Sequence, residues 1–230
     1  MVGKHRNSSC AITGYVVHLI GCLLDKLGAN FVVHSATKYL SGHGDLLAGA
    51  AVGDAETMEK VRMFGVKDMT GSCLSAYDAH LLLRGLKTLH LRMDRHCASA
   101  NDIAHWLADH PAVDHVYYPG LETDPGHAIM SRQARAFGGM IALDLKGGHD
   151  AGLQMINRLG VFTRAVSLGD CESLAEHPAS MTHSTYSPDE RRRHGIGEGL
   201  IRLSIGLEDL DDLKRDLEQA LAGLAQRKAS

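Results

Sequence analysis

The chain has 230 residues, of which 44% are hydrophobic and 22% charged, with a formal net charge of −3. That length and composition suit a globular protein of one large or two small domains. The charge offers no basic field for nucleic acid, and no apolar run reaches the roughly 20 residues that span a bilayer. Residues 15–24 come nearest, and His18 interrupts them. Lys4 and Arg6 precede that stretch in the manner of a signal peptide, but Gly14 and Gly21 break it and no cleavage pattern follows. The five cysteines, Cys10, Cys22, Cys73, Cys97 and Cys171, are odd in number and lack CxxC spacing. They read as free thiols in a reducing cytoplasm. The 15 histidines form no HxxxH or Cys/His ligand spacing, so no metal site is expected.

In chain order, Val16, Leu19, Ile20, Leu23, Leu24 and Leu27 form a helical stripe that Gly28 can end. Phe31, Val32 and Val33 read as a buried strand, and residues 47–53 as a second. Residues 55–64 predict a short helix ended by Gly65, followed by a loop over 66–71. A long helical tract then runs from about Ser75 to His110, with Gly85 as a point of bending. Beyond it, strands are predicted at 113–118, 140–145, 162–166 and 200–205, with a helix over 151–159. Ser187, Pro188, Asp189 and Glu190 mark a helix start, with a cap, a first-turn proline and acids at the positive end. In the last strand Ile201, Leu203 and Ile205 share one face, and Arg202 and Ser204 the other. Residues 208–227 predict a final helix with an acidic start, a basic end and a stripe of Leu210, Leu213, Leu217, Leu221 and Leu224.

The stretch from Val32 to Asp45 concentrates the chemistry. Two hydroxyls, Ser35 and Thr37, point the same way if strand geometry persists, and Lys38 follows them at the edge of an apolar run. A lysine so placed is a candidate Schiff-base former, and two hydroxyls are good donors to an anionic oxygen. Pyridoxal 5′-phosphate (PLP), which carries both an aldehyde and a phosphate, would satisfy the cluster. On spacing alone the plainer reading, a solvated lysine in a polar loop, has the better claim, because lysines are mostly exposed. Arg202 likewise has two readings: a solvated sheet face, or a bidentate partner for a carboxylate.

His34-Ser35-Ala36-Thr37-Lys38-Tyr39-Leu40-Ser41-Gly42-His43-Gly44-Asp45 closely resembles the PLP-lysine segment of the Cys/Met-metabolism enzymes. Residues 164–169 and 199–209 resemble that family's two carboxylate-contacting segments, and residues 176–183 a further family signature with no separate catalytic role assigned. The loop Lys67-Asp68-Met69-Thr70-Gly71 is more similar to the methionine γ-lyase branch than to the cystathionine enzymes. The match extends over about residues 27–225, with Ala76 standing where the family usually has proline.

The resemblance implies an α/β protein. Residues 27–85 would be the end of an aspartate-aminotransferase-like (fold type I) PLP-binding domain, and 86–110 a linking helix. Residues 111–230 would be a smaller α/β domain with an antiparallel sheet that holds the substrate carboxylate, and residues 1–26 a divergent segment. It implies PLP as cofactor and Lys38 as the catalytic lysine, with Ser35 and Thr37 on the phosphate. It implies Ser167 and Arg202 on the α-carboxylate of an amino-acid substrate, and Lys67 and Asp68 as site-lining residues. The implied reaction is elimination of the γ-thiol of L-methionine to methanethiol, 2-oxobutanoate and ammonia, in a cytoplasmic homotetramer. Cystathionine γ-lyase or homocysteine sulfhydrylase chemistry is the alternative within the family.

The resemblance covers only the C-terminal part of a family member. The family's aspartate on the pyridine nitrogen, its stacking tyrosine and its phosphate-binding amides have no match in residues 1–22, and Asp25 lies on the predicted helix. The expectation is therefore a C-terminal fragment with a weakened cofactor site, either catalytic or acting only by association with a full-length relative.

Overall fold

The computed structural model describes residues 31–224. The helix predicted over 15–27, its terminator Gly28, the segment 1–26 and the basic residues Arg227 and Lys228 lie outside the described residues, and the final helix predicted over 208–227 ends at Leu221, where Ala222 leaves helical conformation. The chain divides into a unit up to Leu89 and a second unit from His90.

In the first unit, strands β1 (Phe31–Ser35) and β2 (Gly49–Gly53) pair antiparallel, with Val33 opposite Ala51 and Ser35 opposite Gly49. The apolar runs predicted buried strands, yet Val33 is 69% exposed and Phe31 41%. Two strands cannot cover both of their own faces, and the face bearing Phe31 and Val33 is open among the described residues. Strand geometry ends at Ser35; a wide helical turn follows over Ala36–Leu40, and Lys38 leaves helical conformation at φ −88°, ψ −138°. Helix α1 (Ala55–Lys60) is capped by Asp54, whose carboxylate accepts the Thr57 N–H at 2.8 Å. Gly65 does not end it. Wider helical turns continue over Val61–Thr70 to Gly71, whose φ of 62° is the left-handed cap that glycine adopts readily. The segment predicted as a loop after residue 65 is therefore helical as far as Thr70.

The predicted single tract over 75–110 is two helices, α2 (Ala76–Leu86) and α3 (Leu89–Ala108), broken at Lys87-Thr88. Ser75 caps the first by accepting the Asp78 N–H at 3.0 Å. Gly85 serves packing: a Cβ there would stand 2.3 Å from the Ser41 carbonyl oxygen.

The second unit is built on a five-stranded sheet of β3 (Val113–Tyr117), β4 (Met140–Leu145), β5 (Thr163–Arg164), β6 (Leu174–Glu176) and β7 (Leu200–Ser204). Its order is β3-β4-β7-β6-β5, antiparallel throughout except for the short parallel pair β5·β6. The wholly antiparallel sheet expected for this domain is thus mixed at one edge. Two elements carry no periodic signal and were not expected: β6, only three residues long, and helix α4 (His127–Gln133), which has no side-chain cap. Helix α5 (Gly148–Arg158) starts three residues before its predicted position. Helix α6 (Pro188–Arg193) has the expected Ser187 cap, completed by Glu190 into a capping box.

The core lies between one sheet face and the helices. Ile141, Leu143, Ile201 and Leu203 meet Ile103 and Leu107 of α3, Met155 and Ile156 of α5, and Leu213, Leu217 and Leu221 of α7 (Leu210–Leu221). Of the leucine stripe read from the sequence, Leu213, Leu217 and Leu221 are buried on α7, Leu210 is half-buried at its start, and Leu224 is buried just beyond its end.

Asp216 of that helix is a buried polar anchor. Its carboxylate accepts the N–H groups of Gly160, Val161 and Phe162 at 2.8, 2.8 and 3.1 Å. Burial raises its pKa, but these three amides and the Gln219 amide outweigh burial and hold it below the ordinary aspartate value. Asp216→Ala leaves three amides without their acceptor and is expected to cost about 3 kcal/mol in urea unfolding at pH 7. The charge contributes fully above the unfolded aspartate value, about 3.9. The gap between wild type and variant then closes as pH falls through the lower folded value.

Candidate active site

Lys38 sits half-buried in the turn that follows β1. The two hydroxyls beside it do not share one strand face as predicted, because the chain turns at Ala36. Ser35 is exposed at the strand end, while the Thr37 hydroxyl accepts the Ala48 N–H at 2.9 Å. Its own proton has only a long contact, 3.4 Å, to the Ala48 carbonyl, so it can be given to a better acceptor. The backbone N–H groups of Ala36 and Thr37 donate to the Ala48 carbonyl at 2.8 and 3.2 Å, which fixes the turn against the start of β2. An amine with two hydroxyls that can donate is a donor set that fits a group bearing an aldehyde and a phosphate. Lys67 and Asp68 lie on the exposed turns after α1, with the lysine Nζ 3.6 Å from the aspartate Oδ1.

In the second unit, Arg202 projects from β7 on the face opposite Ile201 and Leu203. The polar face of β7 is not simply solvated. Ser204 is buried and its hydroxyl accepts the Gly169 N–H at 2.9 Å. The Arg202 Nη2 donates to the carbonyls of Val166 and Ser167 at 2.8 and 3.1 Å. The two residues expected on the substrate carboxylate are thereby brought together by a direct hydrogen bond. Nη1 and Nε of Arg202 have no acceptor among the described residues, which leaves three of its five N–H groups for another partner.

The residue that sequence reasoning missed here is Glu176. It stands directly opposite Arg202 in the β6·β7 register, and its Oε2 lies 2.6 Å from Nη2. Glu176 is buried, and its Oε1 accepts the Thr182 hydroxyl. Both residues belong to the Glu176–His183 signature that carried no assigned role. The rest of that signature is structural. The buried His177 ring has its Nδ1 2.8 Å from the Ser180 hydroxyl and its Nε2 2.9 Å from the Glu198 carbonyl. Burial lowers its pKa and favours the neutral ring, with the Ser180 hydroxyl donating to one nitrogen and the other nitrogen donating to Glu198. A Cβ at Gly152 of α5 would stand 2.5 Å from this ring, so the glycine lets the helix pass over it.

Among the described residues there is no group of three metal-ligating side chains, and no helix is long and apolar enough to cross a membrane.

In the first unit, a lysine preceded by two hydroxyls could hold a group with an aldehyde and a phosphate; in the second, an arginine with three N–H groups unengaged among the described residues could receive a carboxylate. Comparison with known proteins agrees: residues 19–222 match the Cys/Met metabolism PLP-dependent enzymes, and the chain belongs to that family. The cofactor of the family is pyridoxal 5′-phosphate. An L-methionine gamma-lyase of Pseudomonas deceptionensis is 60% identical over 200 residues, covering 87% of this chain and 50% of the relative. A cystathionine beta-lyase of Coxiella burnetii is 47% identical over 85% of the chain and 51% of its own length. The crystal structure of cystathionine gamma synthase from Xanthomonas oryzae pv. oryzae in complex with cystathionine has a TM-score of 0.81 at 44% identity. That match covers 87% of this chain and 51% of the other. The chain thus spans about half the length of the relatives it matches.

Proposed function

We propose that this chain carries the lysine and the carboxylate clamp of a PLP-dependent lyase that eliminates the γ-thiol of L-methionine. The products are methanethiol, 2-oxobutanoate and ammonia, with one water consumed. The observation that carries the reading is the Arg202 guanidinium, tethered to the Ser167 carbonyl with three N–H groups that have no acceptor among the described residues. That is a cation built to receive a carboxylate. The 60% identity to an L-methionine gamma-lyase supports methionine as the amino acid.

When bound, PLP supplies an electron sink next to the substrate's reacting carbons. Lys38 holds the cofactor and moves protons to and from the substrate, as base and then acid. Ser35 and Thr37 bind the phosphate, and Arg202 with Ser167 orients the α-carboxylate. Lys67 and Asp68 line the approach to the site. In this reading the unit up to Leu89 binds the cofactor and the unit from His90 binds the substrate carboxylate, in a cytoplasmic homo-oligomer.

The test is the purified chain with PLP and L-methionine, followed by thiol-reactive dye and by 2-oxobutanoate. Equal release of methanethiol and 2-oxobutanoate is expected, and neither product forming would overturn the reading. The 47% identity to a cystathionine beta-lyase favours a second reading within the same chemistry, in which cystathionine is the preferred substrate. A higher kcat/KM for cystathionine than for methionine would decide for it.

A further inference from the structure

Arg202 does not hold its own orientation. A guanidinium at the end of a long side chain, 31% exposed, loses much rotamer freedom when it is fixed. Three groups fix it here, all at Nη2: the carbonyls of Val166 and Ser167, and the carboxylate of Glu176. The carbonyls take the two Nη2 protons. No hydrogen-bond donor reaches Glu176 Oε2 among the described residues, so its pull on the guanidinium is electrostatic. That pull is strong because the carboxylate is buried, away from the screening of water. Backbone pairing, which sets Glu176 opposite Arg202, and the Thr182 hydroxyl on Oε1 fix the carboxylate in turn. On the other side of β7 the residue opposite Arg202 is Ala142, which is too short to compete for the guanidinium.

We infer that Glu176 is a positioning residue for substrate binding: it anchors Nη2 of Arg202 so that Nη1 and Nε face the incoming α-carboxylate. The inference rests on the carboxylate-clamp reading of Arg202. It assigns to a buried acid, acting through its arginine, control over the affinity for the substrate's acid group. A second negative charge near the clamp also opposes the substrate carboxylate. The anchoring outweighs that repulsion because Glu176 and its arginine already form a neutral pair, whereas a released guanidinium must be re-ordered by each ligand that binds.

The experiment measures binding of two ligands to the full chain by calorimetry: L-methionine, and 3-(methylthio)propylamine, which is the same molecule without its carboxylate. Glu176→Ala is expected to weaken methionine binding about tenfold, the size of one lost ~1.4 kcal/mol interaction, and to leave the amine within about twofold. Glu176→Gln, which keeps an oxygen beside Nη2, should fall between wild type and alanine. Thr182→Val, at an exposed position, should reproduce part of the loss without a packing defect. In an Arg202→Ala background, adding Glu176→Ala should change methionine affinity less than about twofold, because a residue acting through the arginine has nothing left to act on. Equal losses for the two ligands, or unchanged methionine binding in both Glu176→Ala and Thr182→Val, would overturn the positioning role while leaving the clamp intact. If Arg202→Ala alone leaves methionine binding unchanged, the clamp reading fails and the inference fails with it.

Discussion

Lys38→Ala is expected to remove the visible absorption that distinguishes lysine-bound from free PLP, and with it methanethiol release, by at least about 10⁴-fold. The expectation follows from local chemistry. Lys38 is the lysine of the Ser35–Asp45 segment; it is half-buried and follows a threonine hydroxyl whose proton is only weakly engaged. Lys60→Ala is the matched control: that lysine is exposed and pairs with Glu56 at 2.7 Å, four residues away on one helix. Such pairs contribute only about 0.3–0.5 kcal/mol, so its loss should alter neither absorbance nor rate. An absorbance spectrum unchanged in Lys38→Ala would show that another amine holds the cofactor.

The second large effect belongs to Arg202. Arg202→Ala is expected to weaken L-methionine about a hundredfold, the loss of a charge-assisted contact to a carboxylate, and also to destabilise the second unit. Its partner Glu176 is buried, and removing the cation leaves that carboxylate without its ion pair, at a cost of about 2–3 kcal/mol. Arg202→Lys keeps the charge but loses the planar fork, so it should recover most of the stability and little of the affinity. Urea midpoints and calorimetry on the same two variants separate these contributions. If both variants bound as tightly as wild type, another group would have to receive the carboxylate.

What could be read from the sequence divides along a physical line. The family was legible because the run from His34 to Asp45 resembles the PLP-lysine segment residue by residue, although spacing alone favoured a solvated lysine. The leucine stripe of α7 and the alternation of β7 were legible because a helix or strand on a core repeats its apolar residues at its own period. Glu176 was not, because its role depends on which residue of a three-residue strand lies opposite Arg202, and three residues carry no period. The strands β1 and β2 were misjudged for the opposite reason. An apolar run reports what a strand could bury, whereas exposure depends on the layers packed against it, and Val33 remains largely exposed. The break between α2 and α3 was misplaced onto Gly85 because propensity alone cannot tell a glycine that bends a helix from one that admits a neighbouring backbone.

The shortness of β6 has a kinetic side. Its three residues, Leu174–Glu176, are the link between β7 and the edge strand β5, and their pairing aligns Glu176 with Arg202. A slip of one residue would bring Ala175 or His177 opposite the arginine and turn the carboxylate to the other face. The Glu176–Arg202 pair proposed as part of the substrate clamp is therefore assembled by backbone pairing and lasts only as long as that pairing holds. Amide hydrogen exchange at Ala175 and Glu176 would time its opening, and a bound amino acid should slow that exchange from a distance, through the arginine it grips.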